Sequence, residues 1–152
     1  TTRPIFNVSY GGIQQMIDEK ELELNIRNIS ASVIHIRQTK LPDPINIGNA
    51  GSFFKNPIIE KPLYDALSLI YEDLPHYHVD LGSIKIPAAW LIEQCGWKGK
   101  RMDQIGVHER QPLVLVNYGE GKGIEILKLS EQIQSSIQKK FGIELAREVN
   151  VF

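Results

Sequence analysis

The decapeptide Gly48-Asn49-Ala50-Gly51-Ser52-Phe53-Phe54-Lys55-Asn56-Pro57 is the most unusual stretch of the chain. Two glycines flank Asn49-Ala50, and glycine lets a backbone press closely against a ligand. Ser52 follows the second glycine, Phe53 and Phe54 can anchor the segment, and Lys55 and Asn56 add a cation and an amide. Read on its residues, the stretch is a ligand loop. It is not a nucleophile elbow: a G-x-S-x-G turn needs a glycine two places after the serine, and Phe54 stands there. By itself Ser52 reads as a turn serine.

Three other groups of residues have bland readings. Gly119-Glu120-Gly121-Lys122-Gly123 lies between an expected strand and an expected helix, the setting of a phosphate-binding turn. A dinucleotide fingerprint would need glycine where Ile124 stands, and a Walker loop would need Ser or Thr at Gly123, so the segment reads as a surface turn. His76 and His78 would share one face of a strand. No third ligand accompanies them, so they read as part of a polar loop between Pro75 and Asp80, and no metal is expected. Cys95 ends an amphipathic helix and reads as a small buried side chain.

These residues must be carried by a small domain, or at most two. The chain has 152 residues, 42% of them hydrophobic and 23% charged. A single cysteine excludes an internal disulfide and a cysteine-built zinc site. With 17 Lys+Arg against 18 Asp+Glu, the chain is not a globally basic nucleic-acid binder. No apolar run approaches the roughly 20 residues of a membrane span. Thr1-Thr2-Arg3-Pro4 opens no secretory signal, so a cytoplasmic location is expected. The chain does not start with methionine, and a fragment of a longer protein is one reading of that.

Periodicity places the elements. Pro4 to Tyr10 reads as a strand, broken by Gly11-Gly12, and Ile13 to Ile17 as a helical turn. A helix starts at Asn28 or Ser30, aligns Ile29, Val33 and Ile36, and stops at or before Leu41 because Pro42 follows. Another runs from Lys61 to Glu72 with Pro62 in its first turn and a stripe of Leu63, Ala66, Leu67 and Ile70. Gly82 to Ile86 reads as a strand, Ala88 to Cys95 as a helix closed by Gly96, and Leu113 to Val116 as a central strand. The longest helix runs from Ile124 to Lys140 on a stripe of Ile126, Leu129, Ile133 and Ile137, until Gly142 stops it; Ile143 to Phe152 reads as a closing strand. The fold expected is α+β, a small mixed sheet flanked by helices.

Several blocks taken together resemble the UDP-N-acetylenolpyruvoylglucosamine reductase (MurB) family. They are Arg37-Gln38-Thr39-Lys40-Leu41-Pro42-Asp43-Pro44, the decapeptide 48–57, and Ala88-Ala89-Trp90-Leu91-Ile92-Glu93-Gln94-Cys95-Gly96. Val107-His108, Gln111 to Asn117, and Phe141 to Leu145 with Glu148-Val149 continue the series in the family's order. The resemblance runs from about residue 28 to the end and covers the family's C-terminal, substrate-binding part. It implies a domain over 28–152, with residues 1–27 as an N-terminal segment packed on it, and an FAD-binding region that would precede Thr1.

The resemblance also implies an activity for the intact enzyme. NADPH reduces FAD, and hydride then passes to the enolpyruvyl group of UDP-N-acetylglucosamine enolpyruvate, giving UDP-N-acetylmuramate for peptidoglycan. Ser52 falls where the family's proton donor stands and Glu148 where its active-site glutamate stands. Lys40, Asn56, Gln111 and Tyr77 fall on substrate-contacting positions, and Arg37 on a position that approaches the FAD phosphates. FAD and NADPH belong to the intact enzyme; the chain alone is expected to bind neither and to be inactive. Its partners are then the nucleotide sugar and the FAD-binding region, with no nucleic acid and no membrane. The competing reading is a non-catalytic nucleotide-sugar-binding module, which needs neither Ser52 nor Glu148.

Overall fold

The computed structural model describes residues 5–9 and 12–151, apart from the side chain of Lys40. The chain forms two compact units, residues 1–43 and 44–152.

The first unit pairs two helices, α1 (Ile13–Glu19) and α2 (Ile26–Lys40). Ile13 and Ile17, one turn apart, make the buried face of α1. Helix α2 starts earlier than the sequence reading has it. Asn25 is its cap, extended in backbone, and its side chain accepts the Asn28 N–H at 2.9 Å. Asn28, expected as the cap, is the third helical residue, and its own amide reaches back to the Glu23 carbonyl at 2.8 Å. The helix ends as expected. Leu41 is extended ahead of Pro42, and its N–H closes on the Arg37 carbonyl at 2.8 Å. Residues 5–9 form no regular structure, and Pro4 and Tyr10 of the expected strand lie outside the described residues.

The second unit holds two antiparallel sheets. One has the order β1 (Gly48–Ser52), β7 (Val114–Asn117), β6 (Ile105–Val107), β5 (Arg101–Met102). The other has β2 (Ile58–Glu60), β4 (Ser83–Lys85), β3 (Tyr77–His78). Three helices accompany them: α3 (Lys61–Ser68), α4 (Ala88–Gln94) and α5 (Gly123–Phe141). The class is α+β, but two antiparallel sheets stand where one mixed sheet was expected. Short turns join β3 to β4, β5 to β6 and β6 to β7, and a parallel pair would need a long crossover instead. Strand β7 is interior, as its continuous apolar run requires: Val114, Leu115 and Val116 are all buried.

Helix α5 lays Leu129, Ile133, Ile137 and Phe141 into the core, and Gly142 ends it in left-handed geometry at φ 69°. Helix α3 is shorter than its periodicity implied. It stops at Ser68, so the helical phase is lost before Ile70, which is 71% exposed; Ala66 is exposed as well. Leu67 is buried, and Leu63, Tyr64 and Tyr71 pack against the core around it. The expected closing strand is not a strand. Ile143 and Leu145 are buried and Glu144, Ala146 and Glu148 exposed, which is the period of two of a strand. Its pairing, however, is confined to a single bridge, Phe54 to Arg147, between the bonds that join Glu148 to Phe53 and Lys55 to Ala146.

Candidate active site

Ser52 ends β1, and the strand reaches it through a bulge. Gly48 pairs with Asn117 and Asn49 with Val116, then the register slips and Ser52 faces Val114. Ala50 and Gly51 thus oppose Leu115 alone, and such an insertion bends a strand and re-aims its side chains. Gly51 takes φ 74°, a conformation L side chains rarely adopt, while a Cβ there would meet no atom within 4 Å. The glycine is needed for its backbone angle and not for room. Asn49 clasps the bulge: its Oδ1 accepts the Gly51 N–H at 3.0 Å and its Nδ2 donates to the Ile47 carbonyl at 2.9 Å. The expected ligand loop begins as the end of a bulged strand.

Beyond Ser52 the chain turns into the core. Phe53 and Phe54 are buried and meet edge to face at 5.3 Å. The Phe53 N–H donates to the Leu113 carbonyl at 2.7 Å. On its other side the Phe53 carbonyl accepts the Glu148 N–H at 2.9 Å, and the Lys55 N–H reaches Ala146 at 2.9 Å. Two residues far apart in sequence, Ser52 and Glu148, therefore sit on hydrogen-bonded segments one residue out of step, and both are exposed. Arg147 pins the second segment down. Its Nε donates to the buried Ser130 hydroxyl at 3.0 Å and one terminal nitrogen to Gln134 at 3.1 Å, both on α5.

Beside this junction lies a cavity of about 480 Å³ lined by Ala50, Phe53, Ile124, Ile126, Leu127 and Val149, among others. Phe53 and Val149, the chain neighbours of Ser52 and Glu148, line its apolar wall; Ser52 and Glu148 themselves do not.

Residues 43–152 match the sequence family described as UDP-N-acetylenolpyruvoylglucosamine reductase, C-terminal domain. The chain belongs to this MurB C-terminal domain family. Curated relatives carry the name UDP-N-acetylenolpyruvoylglucosamine reductase. The protein of Amoebophilus asiaticus is 49% identical over 150 residues, 98% of this chain and 44% of the relative. That of Porphyromonas gingivalis is 45% identical over 147 residues, 97% and 44% of the two chains. That of Flavobacterium johnsoniae is 46% identical over 146 residues, 95% and 43%. The chain thus spans less than half the length of these relatives.

The remaining positions named by the MurB resemblance are spread over the fold. Asn56 is close to Ser52 in the chain, but its Oδ1 caps α4, accepting the Ala88 N–H at 2.9 Å. Pro87, at the cap position of α4, has no side chain able to do this. The carbonyl of Asn56 is therefore committed to the fold, and its Nδ2 is the group left for a ligand. Gln111 is half-buried in the turn between β6 and β7. There His108 Nδ1 accepts the N–H groups of Arg110 and Gln111 at 3.3 and 3.2 Å. Those bonds place the proton of a neutral His108 ring on Nε2. Tyr77 stands on the other sheet, 63% exposed on β3. Arg37 and Lys40 belong to α2 in the first unit; Arg37 is exposed, and the Lys40 side chain lies outside the described residues.

In the glycine turn 119–123, Asn117 Oδ1 accepts the Gly119 and Gly121 N–H groups at 3.0 Å each, and its Nδ2 donates to the Gly121 carbonyl at 2.6 Å. Two amides that could cradle a phosphate are thus spent on Asn117, and the Lys122 N–H is spent on Glu125. The His76 ring lies 5.4 Å from that of His78 and hydrogen-bonds Tyr64 Oη at 3.0 Å. Among the described residues no group of three His, Cys, Asp or Glu is placed to hold a metal ion, and no helix is long and apolar enough to cross a membrane. Cys95 is half-buried at the end of α4, and burial pushes its thiol up while Lys140 pulls the other way.

Two positioning side chains were missed in the sequence reading. Asn49 had a local signal, since asparagine two places before a glycine favours a side-chain-closed turn. Arg147 had none, because its partners lie on α5.

Proposed function

We propose that this chain supplies the substrate-facing, proton-donating part of a flavin-dependent reductase. The reaction is the NADPH-dependent conversion of UDP-N-acetylglucosamine enolpyruvate to UDP-N-acetylmuramate, a cytoplasmic step of peptidoglycan precursor synthesis. The observation that carries it is the hydrogen bond from Glu148 N–H to the Phe53 carbonyl, which brings the carboxylate-bearing residue next to Ser52.

Residues of the second unit suit the edge of a flavin ring but not a whole dinucleotide. Ala50, Phe53 and Val149 give an apolar wall beside Ser52, whereas the one dinucleotide-like turn has its amides bound to Asn117. The phosphates then fall to Arg37 and to a region outside this chain. When bound, FAD supplies the hydride, replenished from NADPH, that adds to the terminal alkene carbon.

Ser52 completes the addition. As the C=C π bond is lost, its electron pair moves to the adjacent carbon and the substrate carboxylate. The Ser52 hydroxyl gives its proton to that carbon, forming the second new C–H bond, and regains a proton from water. A hydroxyl is a weak acid, so it acts only if the developing charge is strong and its alignment is tight. Glu148 works on the carboxylate side, where two carboxylates need a proton or a cation between them. Lys40 offsets diphosphate charge, and Asn56 Nδ2, Gln111 and Tyr77 hydrogen-bond the nucleotide sugar, which rejects analogues lacking those groups.

The test uses the complete reductase that carries this sequence. Ser52→Ala should leave flavin reduction by NADPH intact and lower reduction of the enolpyruvyl substrate by at least about 10²-fold. Full-speed turnover by Ser52→Ala would overturn the reading and favour a module that only binds the nucleotide sugar.

A further inference from the structure

We infer that Asn49 is a positioning residue for the Ser52 hydroxyl, acting through the bulge it clasps. The inference rests on the proposed role of Ser52 as proton donor.

Ser52 is held from two sides by different means. Downstream, buried Phe53 and Phe54 and the bonds to Leu113 and Glu148 fix the chain through the core. Upstream, the strand departs from its register, and the Asn49 side chain bonds the backbone on both sides of the departure. Asn49 ties Ile47 to Gly51, accepting from one and donating to the other. Its own backbone stays in register with Val116, so the clasp is anchored to the sheet's interior strand. Gly51, in left-handed geometry, is the residue directly before Ser52, so a change at its N–H alters the direction in which Ser52 leaves the bulge. A misplacement of about 1 Å in a reacting group can cost about 10²-fold in rate.

The complete reductase is assayed as two half-reactions: flavin reduction by NADPH, and reoxidation of the reduced flavin by the enolpyruvyl substrate, the latter in H₂O and D₂O. Asn49→Ala should slow the second about 10²-fold and raise its solvent isotope effect. The first half-reaction and substrate affinity should not change. Asn49→Asp, which keeps the acceptor oxygen for Gly51, should recover most of the rate. Gly51→Ala, which meets no atom within 4 Å, should slow the same half-reaction through its backbone angle alone, and it serves if Asn49→Ala does not fold. In the 152-residue chain, the Gly51 amide of Asn49→Ala should exchange with solvent faster while the core amides of α5 do not change.

Wild-type reoxidation by Asn49→Ala, with Ser52→Ala inactive, would overturn this inference alone. So would a parallel loss of flavin reduction or substrate affinity in Asn49→Ala, or a failure of Asn49→Asp to recover the rate. Wild-type reoxidation by Ser52→Ala would overturn the reading on which the inference rests.

Discussion

Arg147 does with its side chain what Glu148 cannot do for itself. Glu148 is exposed and its N–H bonds only to a carbonyl, whereas the preceding guanidinium binds Ser130, Gln134 and, at 3.4 Å, Glu131. Arg147→Met should lower stability by about 1–2 kcal/mol, since it removes charge-assisted hydrogen bonds from a half-buried group. A shift in the thermal midpoint checks this, and an unchanged midpoint would contradict it. Asp80 gives a pH prediction of known sign. The Gly82 N–H, bonded at 2.9 Å, and the Ser83 side chain hold its carboxyl below the ordinary value. Its contribution is therefore present above the unfolded carboxylate range and is lost as pH falls through the lower folded value. Protection of the Gly82 amide should be kept at pH 3.8, the ordinary value for the Asp80 carboxyl, and be lost only at lower pH, and Asp80→Ala should remove that dependence. At this scale the sequence was legible where chemistry is local. The Gly51-Ser52 pair stood out, but the guanidinium contacts of Arg147 depend on packing that no neighbouring residue reveals.

Two glycines at the entrance of α5 separate turn geometry from helix propensity. A Cβ on Gly121 would lie 2.5 Å from Ile105 Cγ2 and 2.8 Å from Asn117 Oδ1, the oxygen that holds the turn. Gly121→Ala should therefore cost about 1–3 kcal/mol. Gly123, the first residue of α5, has open space and no positive φ, so Gly123→Ala should stabilise by about 0.5 kcal/mol. Urea titration of both variants checks the pair, and equal shifts would contradict it. Helix α5, strand β7 and the Gly142 stop were readable because long periodic runs and caps carry their own information. Helix α3 and the closing segment were not. The first shed its last turn after Ser68, and the second kept the alternation of a strand while pairing through one bridge to residues 53–55.

On the scale of the whole molecule, the chain has two compact units, and the family match begins at residue 43, next to the division between them. Its α+β class followed from the interleaving of helical and extended periodicities. The division into two antiparallel sheets did not, because strand partners follow from turn lengths and tertiary packing. The second unit offers an apolar wall and a glycine turn whose Gly119 and Gly121 amides bond Asn117, so the 152-residue chain purified alone should show no flavin absorption band. A yellow protein with one flavin per chain would contradict this. Core loss should be severe and site-independent. Ile133→Ala, at a fully buried position of α5, should cost about 2–5 kcal/mol, read by calorimetry.

The junction between residues 53 and 148 also has a consequence in time. A ribosome making this chain delivers the serine before the glutamate, and the bond that unites their segments cannot form until the later stretch has left the exit tunnel. A nascent chain stalled after α5 would already own most of its core yet hold an unfinished pocket. Competence for chemistry at this site should thus follow, and not precede, the first compaction around α5.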